Sequence, residues 1–198
     1  SMSENLSNAG VYLIQTFFGI YFILIMVRFL MQVSRVDYYN PLCQGIVRIT
    51  DPAIKPLRKV LPTIRGVDFA TLAVAFIVQF IAVVLVMLIV GGYPFLPVYV
   101  AWVTLGMFSI IFDIYFFALL IMVITSWIAP YSNHPALSLI TQLTEPLCKP
   151  ARRLLPPMGG IDFSIILVFV FISLIDNFLV IQPLARMLGI PGGLILGL

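Results

Sequence analysis

The segment TDPAIKPLRKVLPTIRGVDF, residues 50–69, recurs 94 positions later as TEPLCKPARRLLPPMGGIDF, residues 144–163. Ten of the twenty aligned positions are identical, without a gap. Pro41 and Pro135, outside the segment, obey the same offset. A repeat at a fixed period indicates that the chain consists of two copies of one structural unit.

The composition around this repeat is that of a membrane protein. Hydrophobic residues make up 62% of the 198 residues and charged residues 10%, whereas soluble domains carry about a quarter charged residues. Mean hydropathy is +1.13. So few charges cannot cover a water-exposed surface, and lipid must therefore solvate part of the protein. We interpret Ser1, before Met2, as a remnant of tag removal, and no cleavable signal peptide is evident.

Four apolar runs are long enough to cross a bilayer core of about 30 Å as helices. They cover Gly10–Val33, Phe69–Val90, Thr104–Trp127 and Ile161–Ile181. We expect Phe95–Val103 to lie at the interface, with Tyr99 and Trp102 at headgroup level. The offset of 94 maps the first span onto the third and the second onto the fourth. The sequence therefore predicts an all-α membrane protein of two hairpins with the same orientation.

Charge distribution predicts the orientation of these hairpins. Ten of the eleven Lys and Arg residues fall between Arg28 and Arg65 or between Lys149 and Arg153. The positive-inside rule then places the first and third connections in the cytoplasm and both termini outside. We delimit the repeats at residues 10–90 and 95–182, with surface segments at 40–66 and 134–160. We expect the tail, residues 183–198, to form a short outer helix followed by a loose end.

Each surface segment has an apolar helical stripe backed by cations, the pattern of a helix lying in the membrane interface. We predict two short in-plane helices per repeat, joined at the Thr-acid-Pro step. Thr50 or Asp51 would cap the second helix, with Pro52 at its first position. The predicted lipid- or partner-binding residues are Lys55, Arg58, Lys59, Lys149, Arg152 and Arg153. The predicted structural residues of the motif are Asp51, Pro52, Pro56, Asp68, Glu145, Pro146, Pro150 and Asp162.

Several single residues have a structural interpretation. Asp68 and Asp162 open the second and fourth spans, where a helix cap is favoured over an ion pair with a loop arginine. Arg28, inside the first span, is interpreted as snorkelling to the headgroups. His134 is interpreted as a helix cap or a solvated loop residue. The two cysteines are interpreted as small apolar fillers in a reducing compartment.

Asp113 and Asp176 lie within predicted spans, where an ionisable residue is a functional candidate. With Gln15 they are predicted to reach similar depths in the outer half, where they would bind a cation or relay protons. The alternative, which we favour, is that these polar groups join helices. The acids occur only in the second repeat, since Gly19 and Ala82 occupy the equivalent positions.

The chain resembles the YggT (YlmG-like) family of small bacterial membrane proteins. The resemblance rests on DYYNP at residues 37–41, on both acid-Pro…Lys-Pro…Arg-basic…Leu-Pro motifs and on the Gly…Asp-Phe closings. It implies a protein of the bacterial inner membrane, where the charge distribution described above places both termini in the periplasm. It also implies links to osmotic-stress tolerance, envelope and cell-division organisation and, in plastid relatives, membrane assembly.

Catalytic motifs are missing from the sequence. It has no phosphate-binding glycine loop, no metal-binding histidine pattern and no Ser-His-acid set, so we expect neither an enzyme nor a cofactor nor a metal. Two hypotheses remain: a scaffold or assembly factor that binds anionic lipid headgroups or a membrane or cytoplasmic protein, and an oligomeric ion or osmolyte channel. We expect a homo-oligomer and no binding of nucleic acid.

Overall fold

The computed structural model describes residues 1–156, 163–196 and 198. A hairpin of β1 (Thr63–Ile64) and β2 (Val67–Asp68) connects the second and third helices, and a π-helical segment, Leu174–Leu179, separates the last two. The helices are α1 (Met2–Ser34), α2 (Pro41–Arg58), α3 (Phe69–Val90), α4 (Val98–Ile128), α5 (Pro135–Leu154), α6 (Ser164–Ser173) and α7 (Ile181–Met187).

Four stretches of the described chain are long and apolar enough to cross a membrane, which confirms the predicted fold class. They are Met2–Ser34, Phe69–Val90, Val98–Ile128 and Ser164–Met187. The first and third contain 33 and 31 residues, or about 50 and 46 Å at 1.5 Å per residue, so they extend beyond a bilayer core of about 30 Å. The predicted start of the last span, Ile161, lies outside the described residues.

Each surface segment forms one continuous helix, so the prediction of two short helices per repeat is wrong. Helix α2 contains Pro52 and Pro56 in its interior, and α5 contains Pro146 and Pro150. Each proline removes one backbone donor but keeps a helical φ angle. The helical turn just before Pro52 also has a partner in α1, because the Arg28 side chain contacts Val47, Thr50 and Asp51 together. Asp51 is therefore an interior residue of α2 and does not cap a helix.

The caps of the surface helices lie ten residues upstream of the predicted step. The Asn40 side chain accepts a hydrogen bond from the Leu42 amide at 2.9 Å, and Pro41 occupies the first helical position. In the second repeat the His134 Nδ1 atom accepts from the Ala136 amide at 3.0 Å. The prediction that His134 caps a helix is confirmed.

The chain returns from α2 to α3 through a tight hairpin. Thr63 pairs with Asp68 and Ile64 with Val67, leaving Arg65 and Gly66 as the two turn residues. Both have positive φ angles, 54° and 81°, as a type I′ turn requires. The short turn places Asp68 directly beside the end of α2.

The predicted interfacial stretch Phe95–Val103 does not form a separate element, because α4 runs without interruption from Val98. Tyr99 and Trp102 are buried, and both polar tips have carbonyl partners. The Tyr99 hydroxyl donates to the Tyr93 carbonyl at 2.7 Å, and the Trp102 Nε1 atom donates to the Leu188 carbonyl at 2.9 Å. These rings therefore pack inside the protein, and their position at headgroup level stays a prediction.

The C-terminal tail is packed against the spans, which corrects the expectation of a loose end. Ile195 is 1% exposed and lies against Gly106 of α4. The Gln15 side chain donates a hydrogen bond to the Gly193 carbonyl at 3.2 Å. Apolar contacts and a polar anchor together hold the tail at the end of the bundle opposite to α2 and α5.

The largest core cluster lies where the surface helices meet the spans. It joins the second half of α1 with buried side chains of α2, α3 and α5, among them Phe22, Met26, Ile54 and Leu143. Two smaller clusters lie at the opposite end, under the tail and α7. Helices α2 and α5 are thus integral to the main core.

Candidate functional site

Arg28 fastens α2 to the first span. It is 4% exposed and lies six residues, or about 9 Å, before the end of α1. One Nη atom donates to the Val47 carbonyl at 3.2 Å, to the Thr50 hydroxyl at 2.9 Å and to the Asp51 carboxylate at 2.6 Å. Arg28 therefore does not snorkel to the headgroups. An acid and a hydroxyl in the adjacent motif were the available signal for this pairing.

The Arg28 guanidinium also determines the state of its partner. Burial opposes ionisation of Asp51, but the hydrogen bond and charge of Arg28, with the charges of Lys55 and Arg58, hold the pKa of the Asp51 carboxyl below its usual range. The ionised carboxylate is therefore an integral part of this buried junction.

The second repeat fastens its surface helix without an arginine. Met122 occupies the position equivalent to Arg28, and the Thr144 hydroxyl lies 3.0 Å from its Sδ atom. Glu145, equivalent to Asp51, instead forms an ion pair with Arg152 of the same helix. The two repeats thus share a fold but differ in which acid is tied to a span.

Asp68 is the second charged junction of the first repeat. One carboxylate oxygen caps α3 by accepting from the Ala70 amide at 3.0 Å, and the other accepts from Arg58 Nη2 at 2.7 Å. Gln32 and Thr71 bond the same oxygen. The cap is confirmed, and the ion pair is present as well, with an arginine of α2. Asp162 is the equivalent of Asp68 in repeat two and was predicted to play the same role. It lies outside the described residues.

These contacts also determine the charge of Asp68, which is only 1% exposed. Burial opposes ionisation, but the hydrogen bonds from Arg58 and Thr71, the charge of Arg58 and the bond from Gln32 hold the pKa of the Asp68 carboxyl below its usual range. Asp68 therefore couples the end of α2 to the start of α3 as an ionised group.

Direct hydrogen bonds couple the surface helices of the two repeats. The Asn40 side chain donates to the Pro135 carbonyl at 2.8 Å, and the Asp37 amide donates to the Gln142 side chain at 2.7 Å. The Ser34 hydroxyl, at the end of α1, donates to the Leu143 carbonyl at 3.3 Å. Helices α2 and α5 therefore form one layer, which we call the surface-helix pair.

The six predicted lipid- or partner-binding cations divide into two groups on this pair. Arg58 and Arg152 form the ion pairs described above. Lys55 is 69% exposed and lies 3.7 Å from Asp51, a geometry that contributes little energy at a surface. The side chains with most exposed charge are Lys55, Lys59, Lys149 and Arg153.

The structure brings two of the three predicted ion-site residues together. The side chains of Asp113, from α4, and Asp176, from the π-helical segment, lie close enough to interact with each other. One carboxyl oxygen of Asp176 is buried without a hydrogen-bond partner among the described residues. π-Helical turns are rare and often occur at functional sites. Gln15 bonds the tail instead, so it belongs to a different group of residues.

Gln15 lines a small cavity of about 100 Å³ with Gln79, which is 4% exposed, and with the tail. Gly19 and Ala82 line the same cavity. They are the repeat-one equivalents of the two acids, so the same place in the fold holds a cavity in one repeat and an acid pair in the other. A polar cavity of this size is large enough to hold water.

Metal chemistry finds no support in the described chain. Among residues 1–156, 163–196 and 198, no group of three His, Cys, Asp or Glu side chains is placed to hold a metal ion. Cys43 and Cys148 are buried within the main core, as expected for apolar fillers.

The spans and surface helices define a multi-pass membrane protein of two like-oriented repeats. The family model described as CCB3/YggT matches residues 7–89 and 101–183. The chain belongs to this family. The resemblance read from the motif is thereby confirmed, and the family does not indicate an enzyme.

Relatives match over most of their length. An uncharacterized protein of Pseudomonas aeruginosa, PA0392, is 41% identical over 190 residues, covering 94% of this chain and 95% of the relative. The uncharacterized protein YggT of Escherichia coli is 36% identical, covering 85% and 88%. An uncharacterized protein from the proC 3′ region of Vibrio alginolyticus is 34% identical, covering 82% and 89%. No solved structure matches the chain.

Proposed function

We propose that this protein is a non-enzymatic scaffold of the bacterial inner membrane whose surface-helix pair binds anionic headgroups of the cytoplasmic leaflet. The observation that carries this proposal is the position of the exposed cations. Lys55 and Lys59 on α2, and Lys149 and Arg153 on α5, belong to two helices that are hydrogen-bonded to each other and fixed to the spans. The cations are therefore held at one level of the membrane.

The depth of the layer supports binding to headgroups. Arg28 contacts α2 about 9 Å before the end of α1, which places α2 beside the final turns of a span. Interfacial helices lie with their apolar faces about 5–10 Å into the boundary between headgroups and acyl chains. Each cation near an anionic leaflet contributes about 1 kcal/mol. The surface helices thus lie beside the end of a span and carry the charge that suits that boundary.

Charge asymmetry supports a cytoplasmic position for the layer, with both termini in the periplasm. The family resemblance links such proteins to envelope organisation and osmotic-stress tolerance. A rigid cationic layer suits that task, because it holds lipids, or proteins assembled on them, in a fixed relation to the spans. We also expect the scaffold to act as a homo-oligomer.

Lipid composition around the protein tests the proposal. The protein is reconstituted in nanodiscs of phosphatidylcholine with a minority of phosphatidylglycerol, and the lipids that co-purify are counted. We expect enrichment of phosphatidylglycerol in the wild type and in a charge-keeping variant. That variant combines Lys55→Arg, Lys59→Arg, Lys149→Arg and Arg153→Lys. Enrichment should disappear when all four residues are changed to Gln. Equal lipid ratios in the charged and neutral variants would reject the proposal.

The acid pair favours a second candidate function, a small oligomeric channel for ions or osmolytes. Asp113 and Asp176 meet inside the spans, where charged groups are costly and usually functional. Proteoliposomes loaded with a pH- or potassium-sensitive dye test this alternative. Flux in the wild type that disappears in Asp113→Asn and Asp176→Asn would favour conduction. Absence of flux in all three proteins would argue against the channel and favour the scaffold.

A further inference from the structure

An apolar hollow of the second repeat lies between α4, α5 and α6. It encloses about 630 Å³, within the range of about 300–1,000 Å³ typical of ligand pockets. Its floor is buried and consists of Tyr115, Ala151, Val168 and Ile172. Its edges are exposed side chains of α5 and α6, such as Leu154 and Phe171. We call this hollow the α5–α6 groove.

Two prolines of the repeated motif form the α5 side of the groove, and a cation stands one turn from each. Pro146 and Pro150 line the groove, with Lys149 three residues after the first and Arg153 three residues after the second. Residues three apart on a helix are surface neighbours. Both cations are exposed. The apolar groove is therefore bordered by positive charge along one side.

The groove is a feature of this repeat's side chains as well as of the shared backbone fold. Ala151, on the groove floor, occupies the position of Leu57 in the first repeat, where the longer side chain packs against the main core. Replacing leucine by alanine removes three carbon atoms from the face of the helix that looks toward the spans. That difference leaves space under α5 for an outside group.

We infer that the α5–α6 groove binds one acyl chain of an anionic phospholipid whose headgroup phosphate is held by Lys149 and Arg153. This inference rests on the proposed function and names a specific site for it. An apolar floor requires an apolar occupant, and the charged border requires that the occupant be anionic at one end. Lipid tails are themselves apolar, so burial alone gives no preference among lipids. Selectivity therefore comes from the headgroup and from the fit of the chain.

Native mass spectrometry tests the site directly. The full chain, purified in a neutral detergent, is titrated with dioleoyl phosphatidylglycerol or with dioleoyl phosphatidylcholine. We expect one tight adduct of the anionic lipid per chain, about tenfold or more stronger than the zwitterionic adduct, because two cations contact the phosphate. Changing Lys149 and Arg153 to Gln should remove the difference between the two lipids.

Filling the groove should remove the adduct itself. Ala151→Phe fills the floor, and Leu167→Trp fills the groove from α6 should the first variant fail to fold, which thermal unfolding would show. Matched controls come from the first repeat: Leu57→Phe, and Arg48→Gln with Arg65→Gln, two exposed cations outside the four headgroup-binding residues. These controls should leave the single adduct intact.

Four outcomes would overturn the inference. Equal losses from the charge variants of both repeats, with no effect of filling the groove, would indicate diffuse attraction. Enrichment of the anionic lipid in nanodiscs without a single tight adduct would also overturn the inference. Both of these results would leave the proposed function standing. Equal adducts of both lipids would show that the headgroup is not recognised. Dimers that become monomers in the groove-filling variants would show that a second copy occupies the groove.

Discussion

At the scale of single residues, Arg28 and Met122 occupy equivalent places in the two repeats and fasten the surface helices differently. Arg28 neutralises Asp51 in a buried junction. The Met122 sulfur lies 3.0 Å from the Thr144 hydroxyl and forms no ion pair, and Glu145 pairs with Arg152 of its own helix. The repeat and the motif acids could be predicted from the sequence. The pairing of Arg28 could not, because a cation near the end of a span is equally compatible with snorkelling.

Changing Arg28 to Met, the residue of the second repeat, should destabilise the protein strongly. It leaves Asp51 ionised and half-buried without its main partner, a change that costs about 3 kcal/mol at a buried pair. Unfolding in detergent by chemical denaturant measures the loss. Adding Asp51→Ala should recover part of it, since the uncompensated charge is then gone. Met122→Leu is the control, and an equal loss there would contradict the assigned role of Arg28.

Acid should weaken the two junctions of the first repeat. The pKa values of Asp51 and Asp68 are lowered in the folded protein, so the unfolded chain takes up protons first. Their contribution is complete above the ordinary carboxyl pKa of about 4 and is lost as pH falls through the lower folded values. Melting temperatures between pH 7 and pH 3 should fall more steeply for the wild type than for Asp68→Asn. Parallel curves would refute the linkage.

At the scale of elements, the surface helices show what periodicity can and cannot predict. The apolar stripe and the basic face of α2 were evident from spacing, but its continuity through Pro52 and Pro56 was not. A proline after a Thr-acid pair is the usual start of a helix. Here the Arg28 contacts hold Val47, Thr50 and Asp51, just before Pro52. Helix α5 is also continuous, although Met122 replaces Arg28 there, so the feature common to both helices is the cap ten residues upstream, at Asn40 and His134.

The two caps offer a matched test of the coupling between repeats. Asn40 caps α2 and also donates to the Pro135 carbonyl, whereas His134 caps α5 in the corresponding way. Asn40→Ala should cost about 2 kcal/mol, one for the cap and one for the second hydrogen bond. His134→Ala should cost about 1 kcal/mol. Unfolding free energies of both variants check this, and equal losses would argue against the contribution of the bond to Pro135.

At the scale of the whole molecule, both ends of the bundle are closed by parts of the chain that leave the spans. Helices α2 and α5 close one end, and α7 with the tail closes the other. The four spans and their orientation relative to one another followed from hydropathy and from the repeat. The packing of the tail did not, because its glycines indicate a loose segment. The closeness of Ile195 to Gly106 depends on three-dimensional fit, which no sequence pattern encodes.

A single methyl group should release the tail. A Cβ atom at Gly106 would lie 2.5 Å from the Ile195 Cγ2 atom, whereas one at Gly19 would meet nothing within 4 Å. Gly106→Ala should therefore cost about 1–3 kcal/mol through overpacking and speed amide exchange in residues 189–196. Gly19→Ala, on another span, is the control and should leave exchange unchanged. Identical exchange in both variants would contradict the packing of the tail.

We propose that both cationic surface helices lie on the cytoplasmic side of two like-oriented hairpins. The most direct measurement is labelling of single cysteines with a membrane-impermeant maleimide, after Cys43 and Cys148 have been changed to Ala. We predict that Lys55→Cys and Lys149→Cys react only from the cytoplasmic side and that Tyr93→Cys reacts only from the periplasmic side. Reaction at positions 55 and 149 from opposite sides of the membrane would contradict the account.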